Sequence, residues 1–158
     1  MRRTLVSRRI LVISILAGLL TLGPIATAQA ATLTDDARSL RDSVVVLTQD
    51  YERNFRTRVN AEESTELQTM GVQARREMNA LVSAVRRAER TDREADWRKA
   101  RVLHNSALTT AETRFDRAAA LLQPRLSLGE QKRAYSDYTR TMRKFERLGQ
   151  RIPVTAPR

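Results

Sequence analysis

Apolar residues recur every third or fourth position through four successive stretches of this chain, and no stretch alternates apolar with polar residues two by two. That spacing lays a stripe along one face of an α-helix, whereas a half-buried strand needs a period of two. The first stripe runs Leu33, Ala37, Leu40, Val44, Leu47, Tyr51, Phe55, Val59, and the second Leu67, Met70, Ala74, Met78, Leu81, Val85, Ala88. The third runs Trp97, Ala100, His104, Ala107, Ala111, Phe115, Ala118, Leu122, and the fourth Leu128, Gln131, Tyr135, Tyr138, Met142, Phe145. Glycine and proline are scarce, 5 and 4 in 158 residues, and Pro124 separates the third stretch from the fourth.

Local chemistry marks where each helix begins. A capping box sets Ser, Thr or Asn ahead of the helix and an acid three residues on, so that orphan backbone N–H groups find acceptors. Asn60 with Glu63, Thr91 with Glu94 and Ser127 with Glu130 fit this pattern, and Thr32 with Asp35 is a weaker version of it. Helices of about 22 to 32 residues follow, roughly 33 to 48 Å long at 1.5 Å per residue. Short connections make neighbours antiparallel, and each helix must bury one stripe. The expectation is an all-α fold: an antiparallel up-down-up-down four-helix bundle over residues 31–151, with residues 152–158 a flexible tail. Helices this long also suit a dimeric coiled coil, which admits a homodimer. With neither Gly nor Pro near Asn60, the first two helices are also readable as one.

Ahead of the bundle stands a different kind of segment. Arg2, Arg3, Arg8 and Arg9 form a basic head, Ile10 to Leu22 an uncharged apolar run, and Ala28-Gln29-Ala30 a small-residue cleavage site. This is the layout of a secretory signal peptide over residues 1–30. The apolar run falls short of the about 20 residues that cross a bilayer as a helix. Ser7-Arg8-Arg9 loosely fits a twin-Arg signal, while the strong hydrophobicity of the run favours the general secretory route. The expected address is bacterial periplasm or medium. With Cys 0 in the chain, lipid attachment, disulfides and thiolate chemistry are excluded. Removing the leader, with its four arginines and no acid, takes the net charge from +11 to +7.

Candidate chemistry is sparse. His104, the single histidine, falls on the apolar arc of its helix among Ala100, Ala107 and Ala111. It reads either as a haem or metal ligand, with Met78 as a possible thioether partner, or as an inward histidine bonded across the bundle. The second reading is preferred. Arg101 stands where a di-iron bundle needs Glu, and one His cannot build a structural zinc site, so no metal is expected. Met70, Met78 and Met142 read as gap-filling core residues and Trp97 as a plug at one end. In the last helix Arg133, Arg140, Lys144 and Arg147 line one face opposite the Tyr/Met stripe, a surface for an anionic partner. Nucleic acid is a poor candidate, because no recognition motif is present and no aromatic interleaves with those cations. There is no phosphate loop, nucleophile elbow or His-nucleophile pair, so no catalytic residue is assigned. Glu77 and Glu112 are left as partner-facing acids.

Two short stretches carry a family resemblance: Ala31-Thr-Leu-Thr-Asp-Asp-Ala-Arg-Ser-Leu-Arg-Asp at the start of the bundle, and Arg133-Ala-Tyr-Ser-Asp-Tyr in its last helix. They resemble the soluble periplasmic b-type cytochromes with four helices. The resemblance covers about 20 residues and implies an exported bundle with haem held by a Met of the first helix and a His of the last. Ala37 and Ser136 stand at those two places, and neither can ligate iron.

These readings converge on an exported, non-catalytic helical protein that binds an envelope protein or an anionic membrane surface, with a chaperone-like variant of that role. The alternatives are a haem- or ligand-binding bundle using His104 and a detached periplasmic sensor module. Intact-mass measurement of the exported protein is expected to return a chain beginning at Ala31. A chain beginning at Met1 would remove the export assignment.

Overall fold

The computed structural model describes residues 32–154. The leader read at residues 1–30 and the last four residues lie outside them. The order is α1 (Leu33–Phe55), α2 (Ala61–Thr91), α3 (Glu94–Leu122) and α4 (Leu128–Arg151), with 3₁₀ turns at Arg56–Arg58 and Gln123–Arg125. Cross-helix bonds fix the directions. Glu66 meets Arg117 and Glu77 meets Arg114 between α2 and α3, while Asp36 meets Arg151 and Arg58 meets Glu130 at the two ends of α1 and α4. These pairs run antiparallel, and Glu89 late in α2 bonds Leu33 at the start of α1, so α1 to α4 form the expected up-down-up-down bundle. The helices pack in a ring, and the α3–α4 seam is the sparsest of the four.

Three of the four boxes form as read. Asn60 Oδ1 accepts from Glu63 N at 2.8 Å while Glu63 Oε2 accepts from Asn60 N at 2.9 Å. Thr32 with Asp35 and Ser127 with Glu130 close the same way. The Asn60 box ends the ambiguity at the first junction: α1 and α2 are separate helices. Thr91 with Glu94 does not form. α2 runs on through Thr91 and is closed by Asp92, whose φ of 49° is left-handed and whose N–H bonds Ala88 O. The Thr91 hydroxyl is turned back onto Arg87 O and the Asp96 carboxylate, so Arg93 takes the cap position with no side-chain bond.

This junction end of the bundle is tied across helices. The Glu89 carboxylate of α2 accepts from Leu33 N at 2.7 Å, Thr34 N at 3.2 Å and the Thr34 hydroxyl at 2.5 Å, capping α1 from outside. Trp97 is buried and donates Nε1 to Asp92 Oδ1 at 2.8 Å, the plug expected of it. Asp96, buried beside it, is paired by Arg87 at 2.9 Å. Of the loose tail expected over residues 152–158, Ile152 and Pro153 are tied to the bundle. Ile152 is 3% exposed within the core, and the Pro153 carbonyl accepts from Arg101. An apolar side chain at the end of the last turn has the helix bundle to bury against, whatever its neighbours' flexibility.

The stripes of α1 to α3 face inward as read. That of α4 does so only toward its end, where Phe145 is fully buried and Met142 packs on the core. Its buried residues are Thr141, Phe145 and Leu148, continued by Ile152, whereas Leu128 and Tyr135 are 67% and 63% exposed. α4 is turned about a quarter of a turn from the face its bulky residues suggested. Thr141 enters the core because its hydroxyl bonds Asp137 O at 2.9 Å within its own helix.

At the opposite end Arg58 clasps Glu130 with two bonds, 3.0 and 2.9 Å, and the Ser127 hydroxyl and N–H bond the same carboxylate. These donors, Arg58 first, hold the Glu130 carboxyl down from 4.5 to about 2. A depressed carboxyl stabilises the fold above its unfolded value and loses that contribution as pH falls through the folded one. Thermal melts are expected to show stability falling between pH 4.5 and pH 2, with Glu130→Gln giving a shallower fall across that window.

Candidate functional site

The His104 ring sits between α3 and α4. It is 5% exposed, and its Nε2 lies 2.9 Å from the Phe145 carbonyl. A carbonyl only accepts, so Nε2–H donates. Nδ1 is 3.1 Å from Asn105 Oδ1, one end of an amide whose donor and acceptor ends interchange. The Phe145 ring meets the imidazole edge-on at 5.9 Å. Gly149 makes the space: a Cβ there would lie 2.7 Å from His104 Cε1 and 3.1 Å from Nε2. His104 is therefore the inward histidine with a partner across the bundle. The ring nitrogen facing α4 is already committed to the Phe145 carbonyl, and Gly149 lies against the ring. The two positions implied by the cytochrome resemblance are not brought together: Ala37 is fully buried in α1 and Ser136 is exposed on α4. Among the described residues no group of three or more His, Asp or Glu is placed to hold a metal ion.

The basic stripe divides. Arg133 and Arg147 are exposed and make no ion pair among the described residues. Arg140 meets Asp137 at 3.5 Å with its side chain 71% exposed, a pair worth little in water. Lys144 is not available: its Nζ donates to Ser43 Oγ at 2.6 Å and to Ser39 Oγ at 3.0 Å, pinning α4 to α1. The rotation of α4 explains this, since it turns the stripe from the outer face toward the α1 flank. Arg143, which the stripe did not include, takes Lys144's place on the surface. Arg133 faces a hollow it shares with Asp50, Glu130 and Asp137. Of the two acids reserved for partners, Glu77 is instead bound by Arg114 through two bonds of 2.7 Å. Glu112 remains exposed.

One feature escaped the sequence. Inside the bundle lies an apolar cavity of about 90 Å³ lined from all four helices, Met70, Met78, Met142, Ala111 and Phe145 among its walls. The methionines are where spacing put them, but they do not fill the space. Gly71, Ala74, Ala107, Ala111 and Ala118 supply too little volume opposite α4. The wall shares Tyr51, Phe115 and Ala118 with a groove of about 430 Å³ between α3 and α4. Phe115 and Tyr138 stack at 3.7 Å where the two meet. Burial, with Asp137 adding to it, pushes the Tyr51 hydroxyl up to about 12, so it is neutral at ordinary pH. The run of small residues on α3 was the available signal, and only the placement of α4 turns that run into a cavity.

No protein family, curated protein or solved structure matches this chain.

Gly149→Ala is expected to destabilise the protein by about 1–3 kcal/mol through overpacking, although alanine is the better helix former by about 1 kcal/mol. In a His104→Ala background the same change becomes stabilising. A double-mutant cycle from denaturant melts reads the reversal of sign. Equal costs in both backgrounds would show that the ring does not occupy the notch.

Proposed function

We propose that this is an exported, non-catalytic binding protein that docks on an anionic envelope surface through α4. The observation that carries the reading is the exposed arc of Arg133, Arg140, Arg143 and Arg147, which recur along one side of α4 with only the weak Asp137 contact among their charges. Basic side chains at an anionic membrane contribute about 1 kcal/mol each and are screened by salt. Export rests on the leader read at residues 1–30, and the absence of a catalytic role on the lack of any nucleophile–base arrangement in the sequence.

The rival readings draw less support. A chaperone-like surface calls for a broad apolar patch. Here the exposed large apolar residues Val46, Val72 and Val102 lie on three different helices and Val154 follows α4, while Leu128 and Tyr135 share one groove. A haem-binding role through His104 would have to break its bond to Phe145. No observation favours a sensor module or a homodimer.

Residues 31–158 are expected to cosediment with vesicles containing phosphatidylglycerol and not with phosphatidylcholine alone, and to be released as salt rises. Replacing Arg133, Arg140, Arg143 and Arg147 by Gln is expected to abolish the difference. Unchanged sedimentation of that variant would overturn the reading, while Lys144→Gln serves as a control expected to retain binding.

A further inference from the structure

We infer that the α3–α4 groove and the cavity behind it form a binding site for a single-chain amphiphile with an anionic head, a long-chain fatty acid. The inference is independent of the arginine arc and of export. The groove is walled by Leu122, Leu126, Leu128 and Tyr135 and carries one charged residue, Lys132, which has no ion partner among the described residues. At about 430 Å³ it lies within the range of small-molecule sites, which are largely apolar with a few polar groups that fix orientation. The inner cavity, about 90 Å³, is apolar and about three water volumes in size, room for the end of one chain and not for two.

The geometry sets which end goes where. Phe145, fully buried, lies among the innermost walls, and Lys132 stands at the rim. Between them α4 extends about 20 Å at 1.5 Å per residue, which calls for a long chain. Gln131, the other polar α4 side chain of the groove, already donates to the Gln123 and Leu126 carbonyls. That leaves the Lys132 ammonium to meet the head, and its charge selects a carboxylate over a neutral or cationic group. Entry is through the Phe115–Tyr138 stack, which a chain displaces by sliding α4's first half outward. No residue of α4 before Thr141 is fully buried, so this movement uncovers no core side chain of that helix.

The test is calorimetric titration of delipidated residues 31–158 with palmitate, hexadecylamine and octanoate, each below its micellar concentration. Palmitate is expected to bind one to one, with hexadecylamine and octanoate each at least about fivefold weaker. Lys132→Gln weakens palmitate by about three- to fivefold and leaves hexadecylamine unweakened, as loss of one exposed charge pair predicts. Ala118→Leu, which fills the cavity mouth, and Ala119→Phe, which fills the groove from a half-buried position, each abolish palmitate binding with helicity retained. Absence of saturable binding overturns the inference, as does binding that survives both filling variants or equal affinity for palmitate and hexadecylamine. So does a dimer of the wild type that Ala119→Phe converts to monomer, which would make a second copy the occupant. Vesicle docking of Lys132→Gln is measured alongside: retained docking with weakened palmitate binding separates this site from the arginine arc.

Discussion

The seat of His104 against Gly149 determines how α4 lies on the other three helices. Only a residue without a Cβ admits the imidazole there, and only at that depth does Nε2 reach the Phe145 carbonyl. The bond also satisfies a ring nitrogen that would be costly to bury alone. With that contact fixed, Thr141, Phe145, Leu148 and Ile152 become the inward seam. One flank then falls toward α1, where Lys144 reaches Ser39 and Ser43 and Arg151 reaches Asp36. The other falls toward α3, where Tyr138 stacks on Phe115. Every departure of α4 from its apolar pattern follows from this one rotation.

Most of the fold is readable from residue spacing because α1 to α3 obey it. Leu40, Leu81 and Ala100 are fully buried where the stripes place them, and the Asn60 and Ser127 boxes close as their sequences suggest. Spacing fails where a helix's polar and apolar residues compete for the same arc. In α4, tyrosines at 135 and 138 and Met142 outweighed Thr141 and Leu148 by bulk, yet a threonine bonded within its own helix buries without penalty. Thr91 departs from its pattern for a related reason: a hydroxyl that can bond backward or forward gives the same local signal. The basic arc was mostly legible, with Lys144 exchanged for Arg143, since four-residue steps do not say which flank a neighbouring helix covers. The cavity was not legible, because a void is a relation between helices and not a property of any one of them.

Arginine dominates the polar surface, and its fork shapes the bundle more than its charge does. Arg114 and Arg117 each take two carboxylate bonds across the α2–α3 seam. At this exposure such pairs add little stability, but two parallel bonds from a planar group fix the relative slide of two helices. That matters where the seam is made of alanines, which interlock poorly and tolerate several registers. Arg58 with Glu130 and Arg151 with Asp36 do the same for α1 and α4 at opposite ends. Acids are fewer than bases, 18 against 29 in the chain, so pairing leaves cations over. On α4 the remainder includes Arg143 and Arg147, which are exposed and make no ion pair among the described residues.

The two ends of the molecule differ in kind, and the proposed activities divide along that difference. Near the α2–α3 junction Glu89, Asp92, Asp96, Arg101 and His104 each tie one helix to another or to the chain after α4. The second half of α4 is held by this network, so Arg143 and Arg147 ride on a rigid base, while Arg133 and Arg140 stand on the segment before it. Residues 128–140 are attached by one clasp, one ring stack and two side-chain bonds to carbonyls, with no fully buried side chain. Few buried apolar contacts make a segment the cheapest to open locally. The docking arc is anchored through its tied end, and a site that must part to admit a chain belongs under the loose half. The helix can serve both because its buried seam of Thr141, Phe145 and Leu148 begins only past residue 140.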